Sequence, residues 1–147
     1  MRSVVLALLL LSTPAIAGET PEDSIKYRQL TMSTMGRIMN MAKMQVQGHV
    51  ERKDTLVFQA ETLHTLGQDL ALSFPVGSGP DGKLETEARD TIWSDAEGFA
   101  AAIKAYNDAT ANFVTVAKTG DMVKAAEARG AVGKTCGGCH EKFEEEH

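Results

Sequence analysis

Near its C-terminal end the chain carries Cys136-Gly137-Gly138-Cys139-His140, and these five residues constrain its fold more than any other feature. Cysteines three apart on a helix lie on one face. Two thiols so placed reach one edge of the same flat partner, and the adjacent histidine turns its imidazole to that partner's centre. The C-x-x-C-H spacing is that of covalent haem attachment, in which both thiols add to the haem vinyl groups and a histidine nitrogen takes the iron. The rest of the chain is expected to fold around one haem c, held by Cys136 and Cys139 with His140 as the proximal axial iron ligand.

Other uses of the pair fit less well. These are the only two cysteines, so a disulfide would have to join them to each other. A redox-active dithiol usually sits in a βαβ context, which this chain does not suggest. Zinc needs four ligands, obtainable here only by recruiting His140 and His147.

The N-terminus agrees with haem attachment outside the cytoplasm. Residues 1–17 have a basic start at Arg2, an apolar run from Val4 to Leu11, Pro14, and the small-residue cleavage site Ala15-Ile16-Ala17. The run is too short to span a bilayer. The reading is a secretory signal cut after Ala17, with export to a periplasm. Residues 18–147 then form one domain, and losing Arg2 takes the formal charge from −5 to −6. Such an acidic chain lacks the clustered Lys and Arg that bind nucleic acid, and no other segment is apolar enough to cross a membrane.

Few aromatic residues, many Ala and Met, and little β-branched enrichment argue for helices. Thr20 as N-cap, Pro21 and the acids Glu22 and Asp23 open a first helix expected to reach about Gly48. Ile25, Arg28, Met32, Met35, Met39, Ala42 and Val46 form its inward stripe, interrupted by the charge of Arg28. A second helix starts near Asp54 with Leu56, Ala60, Leu63, Gly67 and Leu70 on one face, and the Gly- and Pro-rich stretch 74–82 ends it. The third repeats as Ile92, Ala96, Phe99, Ile103, Tyr106, Thr110, Phe113 and Ala117 up to Gly120. Asp121 caps a fourth, whose stripe of Met122, Ala126, Arg129, Gly133, Cys136, His140 and Phe143 contains the haem motif. Short connections predict an all-α, antiparallel up-down-up-down four-helix bundle. The start of the first helix then lies beside the end of the fourth.

The chain resembles the class II cytochromes c, and within them the cytochrome c′ family, over essentially all of residues 18–147. The residues that carry the likeness are Pro21-Glu22-Asp23 with Ile25 to Gln29, Ile92-Trp93-Ser94-Asp95 with Phe99, and the C-terminal haem motif followed by Phe143. The resemblance implies that Arg28 lies near a haem propionate and that Met32 stands on the distal face. In this family an apolar distal side chain shields an open sixth site, whereas in low-spin relatives a methionine there ligates the iron. It also implies a homodimer through the first helix, for which Leu30, Met41 and Met44, off the main stripe, supply an apolar strip. The pattern is broken twice. Glu144 stands where relatives often carry Arg or Lys, a residue associated with gas binding on the proximal side, and Arg129 stands where a large apolar residue is expected.

The remaining candidates are given ordinary roles. His49 and His64 are read as solvent-facing, Arg129 as snorkelling or pairing at the rim, and Trp93, Phe99 and Phe113 as core, with Trp93 or Phe74 able to touch the haem. Glu141 and Glu144 to Glu146 are a solvated helix end that favours a basic redox partner. With no acid–base pair or substrate pocket in view, the expectation is a single-electron carrier and not an enzyme. The alternative is a nitric oxide or carbon monoxide binder that sequesters nitric oxide, and coordination at Met32 separates the two.

Overall fold

A reciprocal cap starts the first helix. In the computed structural model, which describes residues 18–81 and 84–145, the Thr20 hydroxyl accepts from the Asp23 N–H at 3.2 Å while the Asp23 carboxylate accepts from the Thr20 N–H at 3.3 Å. Pro21 occupies the first turn, where its missing N–H costs nothing. Helix α1 runs Pro21–Val46 and stops before Gly48, whose φ of 74° is left-handed. Helix α2 is Lys53–Gln68 and passes into a 3₁₀ turn at Leu70–Ser73. The signal reading of residues 1–17 lies outside the described residues, as do Gly82, Glu146 and His147.

The third stripe of the sequence becomes two helices. A single turn, α3 at Thr91–Ser94, ends at Asp95, which then caps α4 (Ala96–Thr119) by accepting from the Gly98 N–H at 3.0 Å. The periodicity ran through this break because Ile92 and Phe99 are buried on both sides of it, while Ala96, expected inward, is exposed. Gly120, again left-handed at φ 74°, closes α4. Asp121 opens α5 (Met122–Phe143), accepting from the Val123 and Lys124 N–H groups at 3.1 Å each. Those bonds favour its carboxylate and hold its pKa below the usual aspartate value.

The long helices pack in a ring, α1 on α2, α2 on α4, α4 on α5, and α5 back on α1, as an antiparallel four-helix bundle. Leu56, Leu63, Phe113 and Val132 meet in its centre with no exposure, and each such side chain contributes about 1.5–3 kcal/mol of burial. A second apolar cluster of Leu70, Ile92, Phe99 and Phe143 fills the end holding the start of α1 and the end of α5. Gly67 lets α2 and α4 approach closely, since a Cβ there would lie 2.5 Å from Cε1 of Tyr106 and collide with Asn107 Oδ1. Among the described residues no helix is long and apolar enough to cross a membrane.

Candidate functional site

Between α1 and α5 the bundle is hollow. One cavity of about 370 Å³ is walled by Arg28, Phe74, Phe99 and Phe143, and an adjoining one of about 340 Å³ by Met35, Met39, Tyr106 and Cys136. Both volumes are of the size that holds a small-molecule cofactor. Met32 on α1, Leu70, and Cys139 and His140 on α5 line both cavities. The expected distal side chain on α1 and the expected haem motif on α5 thus line the same two cavities.

The motif's exposure follows from its helix phase. Phe143 is buried as expected, but the other buried residues of α5, Ala125, Ala128 and Val132, each lie one position before the expected Ala126, Arg129 and Gly133, so this part of the helix is rotated slightly from the sequence reading. The reason is bulk: the small alanines let α5 seat deeply on α4, and Arg129, Gly133 and Cys136 turn to the cavity instead. Burial of both thiols disfavours the charged form. It raises the Cys136 pKa and pushes Cys139 up to about 11. His140 is half exposed, and its Nδ1 lies 3.0 Å from Glu144 Oε2.

Arg28 does not snorkel; only 4% of it is exposed. Nη1 donates to the Ser73 carbonyl at 3.2 Å and the Ser78 hydroxyl at 2.7 Å. Nη2 donates to the Ser78 carbonyl and to the Thr86 hydroxyl, each at 2.6 Å. The guanidinium carbon also sits 4.7 Å from the centre of the Phe74 ring, a cation–π distance. Desolvation lowers its pKa. Arg28 therefore clamps the loop that follows α2 against the cavity mouth, a role that no local motif announced.

Several other residues sit differently from expectation. Arg129 pairs, as one of its two expected roles had it, but with backbone: its Nε donates to the Met39 carbonyl at 3.0 Å, and it lines the second cavity. His64 is half-buried rather than solvent-facing, with Nδ1 3.1 Å from the Thr110 hydroxyl, while His49 is exposed as expected. Phe99 and Phe113 are core, but Trp93 is only partly buried and its indole N–H donates to the Phe74 carbonyl at 3.1 Å. That bond aims Phe74 into the first cavity, edge-on to Phe99 with ring centres 5.0 Å apart. The acidic end of α5 is not simply solvated: Glu145 reaches Arg89 at 3.6 Å, and its N–H donates to the Glu87 carbonyl at 2.8 Å.

The residues present fit a covalently held haem. The two thiols and the imidazole on α5 face a cavity with aromatic and thioether walls, and the donor set of two cysteines and one histidine is what thioether attachment and axial ligation require. Among the described residues no group of three or more His, Cys, Asp or Glu is arranged to hold a metal ion directly.

Comparison with known proteins agrees. The family model described as Cytochrome C′ matches residues 23–144. The cytochrome c′ of Rubrivivax gelatinosus is 34% identical over 131 residues, 86% of this chain and 98% of that protein. Its crystal structure superposes with a TM-score of 0.78 at 31% identity, covering 85% and 97% of the two chains. The cytochrome c′ of Pararhodospirillum photometricum is 31% identical over 86% of this chain and 99% of its own. A ferrous variant of the Alcaligenes xylosoxidans protein with bound nitric oxide has a TM-score of 0.80 at 28% identity, covering 89% and 100%. Another, with carbon monoxide bound, has a TM-score of 0.78 at 29% identity, covering 86% and 98%. With its ring of four helices, the cavity between α1 and α5 and the haem-attachment motif on that cavity's wall, this chain belongs to the cytochrome c′ family of haem c proteins.

Proposed function

We propose that this chain is a periplasmic single-electron carrier, not an enzyme, in which Cys136 and Cys139 anchor haem c and His140 is the proximal ligand. The observation that supports it best is that Met32 lines the same two cavities as Cys139 and His140. Haem, when bound, supplies an iron that alternates between ferric and ferrous states and accepts a further axial ligand. Phe74, Phe99 and Phe143 keep water from its edge. Arg28 engages four of its five N–H donors with the loop and leaves Nε–H for a propionate at the cavity mouth. The export signal in residues 1–17 supports the compartment, and the formal charge of −6 left after its removal, one positive charge fewer than the −5 of the whole chain, supports a basic redox partner.

A second reading is gas binding. It is favoured by the Alcaligenes xylosoxidans relatives that hold nitric oxide and carbon monoxide. Met32 is only half-buried and lines both cavities, so its flexible thioether side chain can either reach the iron or swing aside for a diatomic gas. In the latter case the protein sequesters nitric oxide. Optical spectra of the holoprotein and of Met32→Ala, with and without carbon monoxide, separate the two. A high-spin ferrous spectrum that changes with carbon monoxide, faster in Met32→Ala, establishes Met32 as a shield. A low-spin spectrum indifferent to carbon monoxide, converted to high-spin by the substitution, makes Met32 the sixth ligand and leaves electron carriage alone. Spectra and gas rates unchanged by the substitution overturn both roles.

The outward face of α1 supports a homodimer. Leu30, Met41 and Met44 are all exposed along it, between 48% and 69%, on the side opposite the core stripe, and Tyr27 is exposed on its flank.

A further inference from the structure

The last turn of α5 sets a carboxylate against the histidine. His140 Nδ1 is 3.0 Å from Glu144 Oε2, one helical turn on. A carboxylate only accepts, so the shared hydrogen belongs to Nδ1, and Nε2 keeps its lone pair for the iron. Glu144 does not belong to a frayed end. Its N–H donates to the His140 carbonyl at 3.0 Å, and its backbone forms a bridge with Ala88. On either side the Arg89 N–H donates to the Phe143 carbonyl at 3.0 Å and the Glu145 N–H to the Glu87 carbonyl at 2.8 Å. The Thr91 hydroxyl adds a bond to the Lys142 carbonyl at 3.0 Å. The neighbouring cation, Arg89, turns to Glu145 and to the Glu141 carbonyl. The chain has thus built a small antiparallel brace whose effect is to hold one carboxylate beside one imidazole.

We propose that Glu144 is a positioning residue for the haem histidine. It fixes the ring's tautomer and orientation, and by accepting from Nδ1–H it makes Nε2 the more basic and stronger iron donor. Metal-bound histidines that donate their second N–H to a carboxylate gain in this way. A stronger donor favours ferric over ferrous iron and resists loss of the histidine when nitric oxide binds on the opposite side. The inference rests on His140 being the iron ligand.

The test compares the holoprotein with Glu144→Gln, Glu144→Ala and Glu141→Gln. Resonance Raman reads the iron–histidine stretch of the ferrous forms, and redox titration at one fixed pH reads the midpoint potential. The stretching frequency is expected to fall from the parent to Glu144→Gln, which keeps a neutral acceptor, and further to Glu144→Ala. Glu141→Gln removes an equal charge from an exposed side chain outside the His140–Glu144 pair and is expected to leave the frequency where it was. In Glu144→Ala the ferric-to-ferrous ratio at a given potential should fall on the order of tenfold, the low end for outer partners of metal-bound histidines. That corresponds to about 59 mV for one electron. A purely structural brace would lower stability without moving the frequency. An iron–histidine stretch present in the parent and unmoved in Glu144→Ala overturns the proposal alone. No such stretch in the parent or, where the parent is low-spin, in a Met32→Ala form made five-coordinate, overturns the ligand assignment, and the proposal with it.

Discussion

Replacing Arg28 by leucine tests how the cavity mouth is held. The guanidinium is the donor to the Ser73 and Ser78 carbonyls, and both serines are buried at 4% and 0% exposure. Leucine leaves those carbonyls and the Ser78 hydroxyl without it, at about 1–3 kcal/mol for each buried acceptor that finds no substitute. Two carbonyls alone come to roughly 2–6 kcal/mol. Against this, leucine no longer buries a cation, a desolvation large enough to lower the Arg28 pKa. The expected net loss is about 2–4 kcal/mol, read in denaturant unfolding of the holoprotein as a lower midpoint at unchanged slope. Arg28→Lys should fall between, because an ammonium cannot fork to two pairs of acceptors. A loss under about 0.5 kcal/mol for Arg28→Leu, as at an ordinary surface position, would refute the clamp.

Three further outcomes follow from the packing. Gly67→Ala forces a methyl into the Tyr106 ring and should cost about 1–3 kcal/mol in the same unfolding assay; an unchanged midpoint would mean that α2 and α4 separate freely. The caps hold the Asp23 and Asp121 pKa values below the ordinary aspartate value, through bonds from Thr20 and from the Lys124 backbone respectively. Their stabilisation is therefore complete above that value and is lost as pH falls through it toward the lowered folded value. Acid unfolding followed by circular dichroism should shift less steeply with pH in Asp121→Asn, which keeps the cap without the charge, and an identical acid limb would count against the linkage. Leu30→Glu, in the middle of the exposed strip of α1, should reduce a concentration-dependent dimer to monomer in sedimentation; a dimer that survives uses another face.

The parts of this molecule readable from sequence are those governed by local rules. Thr20, Pro21, Gly120 and Asp121 mark helix ends because caps and left-handed φ values act within a few residues. The stripe Leu56, Ala60, Leu63 and Gly67 of α2, with Leu70 in the 3₁₀ turn after it, followed from periodicity alone, and all five are buried. What was not legible depends on residues far apart in the chain. The Arg28 clamp joins residues 28, 73, 78 and 86, and the brace around Glu144 joins residues 87–91 to 141–145. Neither has a spacing signature. The rotation of α5 was missed because alanines at 125 and 128 pack as closely as larger residues would, yet carry little weight in a hydrophobic pattern.

The central claim is that residues 136–140 hold haem covalently within this bundle. The most direct measurement is a mass spectrum of the holoprotein after acid-acetone extraction, followed by proteolysis. The account predicts that haem stays with the chain and travels on the peptide containing Cys136, Cys139 and His140, and that both thiols resist alkylation. Complete extraction of haem, leaving two alkylatable thiols or a Cys136–Cys139 disulfide, would contradict it.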